Sequence, residues 1–427
     1  MNIEYIGSLA KISFMALIAS SLILPLGVIA GIPVKHITYA ACLVTLLAYW
    51  HKGAKINKAT LVLFISVLLF IAFYFLVGTL RATAPFYAIF TEGMAFFTTL
   101  TVTLLILIAN SCKIIEDEGI ILTSFYGVFI FSLWKSAMFF LISINAVSFD
   151  TVANFIQKYM GFKTMVMAIP GELNRLTFAV NDFITGLFLF LVPTYPRLFS
   201  RVPVFIRVIF MITGIVVLVS AFSRYKFAFV AILWFYSFLF KFSFKQRLIT
   251  CFTVATILFS SLPWLIESFE LRFMSASADL SDSIRLEQII ALLAAWEDLP
   301  IIGGGLGYFA KDFIRNEGLF SYEVQWISFF PKFGMIGVTF LLLLVSFLFY
   351  KILSGKKSAD HYLLAFVLLS FILSGFTNPF LLSSTSAVFY VLPLILASIF
   401  RKNPAYANKK QAAPAIVSVK QETVHAL

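Results

Sequence analysis

Three arginines of this 427-residue chain, Arg175, Arg224 and Arg285, stand where long apolar runs give way to polar sequence. The pattern puts each at the N-terminal end of an expected helix, where a cation opposes the helix macrodipole and loses a few tenths to about 1 kcal/mol. An anion bound there gains from the positive charge and from free backbone N–H groups together. Three such places suggest a phosphate or pyrophosphate pocket. The competing reading is that these arginines reach for lipid headgroups or form ordinary surface pairs. Arg272 joins them in a hydrophilic stretch that runs from Trp264 to Glu323. Glu323 fits two roles: a general base whose proton affinity is set by burial and neighbouring positive charge, or an acid that satisfies a helix N-terminus.

Other polar residues lie inside apolar segments. Lys135 sits toward one end of such a segment, where a lysine at the bilayer centre would cost roughly 2.5–3.5 kcal/mol. It either points into a polar cavity or snorkels to the interface, and Glu92 is a partner it could pair with. Asn181 and Asp182 either hydrogen-bond a substrate or tie helices together. Lys226, two residues after Arg224, joins the binding candidates. The run Ile301-Ile302-Gly303-Gly304-Gly305-Leu306-Gly307 allows sharp backbone turns. It lacks the Gly-Lys-Ser/Thr ending of a P-loop, and Tyr308 stands where a dinucleotide fingerprint needs a third glycine.

The elements that must position these residues are membrane helices. With 61% hydrophobic and 12% charged residues, the chain cannot form an apolar core inside a polar shell. About twenty apolar residues span the hydrocarbon layer. Twelve such stretches are centred near residues 21, 43, 69, 98, 131, 187, 213, 233, 255, 342, 367 and 390. Continuous runs such as Leu61 to Val77 exclude the alternation of a barrel. The expectation is an all-α polytopic protein, a single membrane domain over residues 1–402 with a disordered cytoplasmic tail over 403–427. If the N-terminus is cytoplasmic, that side carries eighteen Lys and Arg residues against four in the short loops opposite, which puts both termini inside. Two longer loops, about 144–176 and 265–322, then lie outside. In the second, Ser281 reads as the N-cap of an amphipathic helix with Leu286, Ile289, Ile290, Leu293 and Trp296 at helical spacing and Pro300 as its stop. The first apolar segment reads as a retained helix. The net charge of +12 is largely this topology signal and calls for no nucleic-acid partner. Cys42, Cys112 and Cys251 offer no extracytoplasmic disulfide, and the four histidines have no metal-ligand spacing.

Four blocks together resemble the superfamily of O-antigen ligases and Wzy-type O-antigen polymerases. NRLTFAVND is similar to its Arg-Leu-Thr segment, which maps onto Arg175 and Asn181. SRYKFAF resembles its Ser-Arg turn at Ser223 and Arg224. The stretch from Arg272 through DSIRLEQIIALLAAWEDLPIIGGGLGYF looks like its Arg, Arg, Trp, Pro-x-x-Gly-x-Gly order. YEVQWISFFPKFGMIG resembles its segment ending in Gly334 and Gly337. The likeness covers roughly residues 170–345. Where the ligases carry a His-Asn pair, eleven and ten positions before Gly334, this chain has Glu323 and Val324, a departure that favours a polymerase. The resemblance implies a metal-independent and nucleotide-independent glycosyltransferase of the bacterial inner membrane, acting on undecaprenyl-diphosphate-linked oligosaccharide at the periplasmic face. It also implies contact with membrane lipids and with a chain-length regulator. Glu323 and Arg285 would then be catalytic, with Arg175, Arg224, Arg272, Lys135, Asn181 and Lys226 binding the diphosphate or substrate. An O-antigen ligase is the nearest alternative. A lipid-linked oligosaccharide flippase or other transporter, and a purely structural membrane protein, come from other classes.

Overall fold

The computed structural model describes residues 3–403 apart from 25–27, 30–31, 52, 54–56, 83, 161–167, 170–172, 261–262, 264–265, 268–269, 271–275, 315–318 and 356–357. Arg272 and nearly all of the expected tail lie outside the described residues. Fourteen α-helices are found among them: α1 (Ile3–Ile23), α2 (Val34–His51), α3 (Lys58–Arg81), α4 (Phe86–Ser111), α5 (Asp117–Ser143), α6 (Phe149–Met160), α7 (Ala179–Thr194), α8 (Val204–Ala221), α9 (Arg224–Phe240), α10 (Phe244–Ser260), α11 (Ala276–Glu297), α12 (Gln325–Leu353), α13 (Ala359–Ser374) and α14 (Ser384–Lys402). Two short antiparallel ribbons, Val28–Ile29 with Ile32–Pro33 and Ala168–Ile169 with Leu173–Asn174, lie between α1 and α2 and between α6 and α7.

The protein is an all-α, multi-pass membrane protein. Among the described residues, seven helices, α1, α3, α4, α5, α8, α12 and α14, are long and apolar enough to cross a bilayer; α7 and α13 are apolar but shorter. Large apolar side chains such as Leu69, Leu80, Leu343 and Phe252 face outward, an arrangement that water penalises and hydrocarbon does not. α14 lies at the centre, with Ala387, Val388, Phe389, Val391 and Leu392 fully buried against α4, α5, α7 and α13.

Each of the twelve apolar stretches falls on a helix, with one displaced. The first was expected around residue 21, yet α1 ends at Ile23, because Pro25 and Gly27 break the apolar run that the hydropathy continues through. The loop before α7 holds a helix the sequence reading did not anticipate. α6 buries Phe149, Val152 and Ile156, spaced along one stripe, against Phe131, Leu176 and Phe178. The loop helix α11 begins at Ala276 rather than after an N-cap at Ser281, since Ala276, Ala278 and Leu280 favour helix continuation. Of the expected apolar stripe, Ile289 and Trp296 pack on protein. Gln288, Ala291 and Leu292 are buried, whereas Leu286, Ile290 and Leu293 are exposed.

α12 is broken. Gly334 has φ 57° and ψ −170° inside an otherwise helical run that also contains Pro331. The carbonyls freed by the break are taken up by the glycine run: Gly304 N–H donates to Pro331 O and Gly305 N–H to Lys332 O, both at 2.8 Å. Tyr74 Oη donates to Phe333 O at 2.8 Å. In return Met335 N–H donates to Pro300 O at 2.9 Å and Ile336 N–H to Ile301 O at 3.2 Å. Irregular backbone is tolerated at membrane depth where protein groups satisfy it. From the break to Leu353 there remain about 20 residues, roughly 30 Å of helix and enough to span the hydrocarbon, so the break falls at the edge of the apolar layer.

Candidate functional site

Glu323 is presented where α11 crosses the start of α12. Its backbone N–H donates to Gln288 Oε1 at 2.9 Å, and its carboxylate accepts from Arg285 Nε at 2.9 Å. Arg285 also donates through Nη1 to Asp282 Oδ1 at 2.7 Å. The Glu323 and Arg285 side chains keep 18% and 24% exposure, so the pair is sheltered and still reachable by a ligand. Gln288 is fully buried, and its Nε2 has no hydrogen-bond partner among the described residues, a spare donor next to Glu323. Glu323 precedes Val324, the N-cap residue of α12, which carries no side-chain capping bond. Tyr322 beside it accepts from Ala310 N–H at 2.8 Å. Burial pushes its phenol up to about 12, so its hydroxyl stays protonated at any physiological pH.

Arg175 lies ahead of α7, and its Nε donates to the Ala221 carbonyl at 2.7 Å. That carbonyl ends α8, so the cation meets the negative pole of one helix rather than the positive pole of another. Burial pulls its guanidinium below the usual arginine value, a shift that the Asp182 and Glu323 carboxylates offset only in part. Arg285 sits in the third turn of α11, not the first, because the helix starts earlier than Ser281. Arg224 alone keeps the expected position, as the first residue of α9 after Ser223. The argument from three opposed macrodipoles therefore reduces to one. The charge argument survives in another form.

Beneath Arg175, Asp182 is shared by two lysines. Lys135 Nζ reaches its Oδ1 at 2.7 Å and Lys226 Nζ its Oδ2 at 2.8 Å, with all three side chains at most 2% exposed. Phe178 N–H donates to Oδ2 at 2.8 Å. Lys226 also donates to Thr177 Oγ1 at 3.0 Å, and Lys135 to Val217 O at 3.1 Å. Lys135 therefore ends in a closed ion triad, not in an open polar cavity, and its partner is Asp182 rather than Glu92. Asn181 donates to Leu22 O at 2.6 Å, tying α7 to the end of α1. Lys135, Lys226 and Arg285 pair with the carboxylates of Asp182, Asp282 and Glu323, and Arg175 is electrostatically coupled to Asp182 and Glu323 without pairing to them, four cations against three acids.

Glu92 belongs to a second tie. It pairs with Lys332, accepts from Gly307 N–H at 2.7 Å, and Lys332 donates further to Phe320 O at 2.8 Å. Arg81 Nη1 holds Gly303 O at 2.7 Å. These bonds fix both ends of the segment that leads into Glu323. Lys332, Gln288, Tyr322 and Arg81 were not singled out from the sequence. Lys332 carried a usable signal, a lysine after a proline inside an apolar run, which demands a buried partner. Gln288 carried none, because one glutamine on an amphipathic helix reads as surface. Among the described residues no three His, Cys, Asp or Glu side chains gather to hold a metal ion.

Compared with known proteins, the chain matches no family model and no curated protein.

Proposed function

We propose that this protein is a polymerase of O-antigen or a related surface polysaccharide, which moves a growing glycan from undecaprenyl diphosphate onto a lipid-linked repeat unit at the outer face of the bacterial inner membrane. In this reading the chain has twelve spans, both termini are cytoplasmic, and the segments around 144–176 and 265–322 are periplasmic. The observation that carries it is the reachable Glu323–Arg285 pair, with Arg175 electrostatically coupled to Glu323. The four sequence blocks that resemble the polymerase and ligase superfamily support the same assignment.

The chemistry divides among the residues as follows. The acceptor sugar hydroxyl forms a bond to the anomeric carbon of the donor glycan as the bond from that carbon to the diphosphate oxygen breaks. The diphosphate leaves with the electron pair, and guanidinium groups are suited to take up the growing negative charge. Arg285 exchanges Glu323 for the diphosphate, Arg175 assists, and Arg224 and Arg272 are further binding candidates. The freed Glu323 carboxylate accepts the hydroxyl proton, a role worth about 10²–10⁴ in rate. Lys135, Lys226 and Asn181 act from below by fixing the start of α7. A chain-length regulator is the partner expected from the resemblance.

The test is the glycan ladder of cells that lack the gene, complemented with wild type, Arg285→Ala, Glu323→Ala or Glu323→Gln at matched membrane levels. Polymerase predicts single-repeat glycan in the null, restored ladders with wild type, and none with Arg285→Ala or either Glu323 variant. Accumulation of unattached polymer on its lipid carrier in the null makes the protein a ligase. A transporter is the second reading; α12 is a discontinuous helix, but transporters place such breaks near the bilayer midplane, and this one lies at the edge. The transporter reading predicts that no repeat reaches the outer face.

A further inference from the structure

A cavity of about 270 Å³ opens among α1, α2, α4 and the start of α14. None of its lining residues belongs to the group around Glu323. Its lining is chemically graded. Lys35, His36, Thr91, Ser383 and Ser384 mark one end, while Leu17, Phe97 and Val102 continue it along the helices. Lys35 is 6% exposed and lies under protein, so it is not a lysine stretched along a surface toward water. No carboxylate is among the described lining residues.

The polar end is at the same end of the bundle as Glu323. Thr385 Oγ1 donates to Ser21 O at 2.7 Å and Asn181 to Leu22 O at 2.6 Å, which places the start of α14, the end of α1 and the start of α7 together. Leu381 N–H donates to Gln325 Oε1 at 2.9 Å, which adds the start of α12. From Thr91 to Val102 the cavity follows α4 for roughly 16 Å at 1.5 Å per residue. That is about half of a 30 Å hydrocarbon layer, the depth of one leaflet.

We infer that this cavity binds one phosphate-headed lipid of the leaflet on the Glu323 side, its phosphate against Lys35 and His36 and a hydrocarbon chain along α4. A buried lysine with hydroxyls beside it suits a phosphate group, whose negative charge favours the ammonium form. The apolar continuation, one leaflet deep, suits a chain and would gain nothing from a free anion. The site stands apart from the glycan reading and survives its failure.

The test uses the full-length protein, purified in detergent and stripped of lipid, with retention of added lipid read by native mass spectrometry. The probes are phosphatidylglycerol, diacylglycerol with the same chains, and inorganic phosphate. One phosphatidylglycerol is expected to be retained about tenfold more tightly than diacylglycerol, a factor worth about 1.4 kcal/mol. Lys35→Met should abolish that preference, Lys35→Arg should keep it, and Ala95→Trp, which fills the cavity beside Phe97, should remove retention of both lipids. Equal retention of the two lipids by wild type overturns the inference, as does unchanged retention in Ala95→Trp, a readout that stands if Lys35→Met does not fold. Full displacement by inorganic phosphate at millimolar concentration also overturns it, as an ion site without a chain.

Discussion

Asp182 serves two lysines at once, and the consequences of removing each member differ. Asp182→Asn leaves two ammonium groups buried with no carboxylate, and breaking a buried pair in this way costs about 3–5 kcal/mol. Lys135→Met leaves Asp182 with Lys226, a neutral pair, and is expected to cost well under half as much. Thermal unfolding of the purified variants should therefore rank Asp182→Asn far below Lys135→Met. Equal losses would mean that Lys135, not the charge balance, holds the helices. The same triad marks what could be read at residue level. A lysine and an aspartate inside apolar segments announce that partners exist, because hydrocarbon will not hold them alone. Which partner each finds depends on helix neighbours that hydropathy does not encode, so on sequence grounds Glu92 is as good a partner for Lys135 as Asp182, the one it binds. Arg175 was assigned to the helix that follows it in sequence, whereas its hydrogen bond goes to the end of a helix more than 40 residues later.

α12 and the glycine run form one unit, and its sensitivity to substitution lies in backbone geometry. A Cβ on Gly334 would stand 2.3 Å from Ile301 O, on top of its positive φ of 57°. Gly355 also has a positive φ, 80°, but a Cβ there meets nothing closer than Arg401 Cδ at 3.8 Å. Gly355→Ala carries a positive-φ penalty of about 1–2 kcal/mol, whereas Gly334, at φ 57° and ψ −170°, sits in a region that side-chain-bearing residues essentially do not adopt. Only Gly334→Ala must also push backbone from backbone, and its loss should exceed that of Gly355→Ala by about 2 kcal/mol or more. Comparing unfolding midpoints of the two variants checks this, and matched midpoints would show that the run can move away from α12 without loss. At this scale the sequence was informative where composition forces the outcome. Apolar runs became helices, and glycines marked a turn. It was silent where tertiary contact chose. α6 is a short helix whose stripe of Phe149, Val152 and Ile156 has helical spacing in the sequence, but the partner it packs on, Phe178, is not encoded locally, and which part of α11 is buried, Ala291 and Leu292 rather than Leu286, Ile290 and Leu293, is set by contact with Ala310, Tyr322 and Val324.

The proposed reading gives the molecule a direction in the membrane from its Lys and Arg placement, and two positions outside the helical core test it. In a protein with Cys42, Cys112 and Cys251 replaced, Ala146→Cys should react with an impermeant maleimide on intact spheroplasts, and Lys245→Cys only after lysis. The reverse pattern would invert the orientation and move Glu323 to the cytoplasm. The bundle also has a history set by the order in which its parts are made. Lys332 follows its carboxylate partner Glu92 by 240 residues. At roughly 5–20 residues per second of synthesis, α4 waits about 10–50 s before that ammonium group exists. During that interval an acidic side chain sits in a nascent membrane helix without its counter-ion. A nascent chain stopped before residue 332 should therefore be recognised as unfinished and degraded faster than one stopped after α12, and Glu92→Gln should narrow that difference in a pulse-chase comparison. The clasp that holds the finished protein thus also marks whether its synthesis has passed α12.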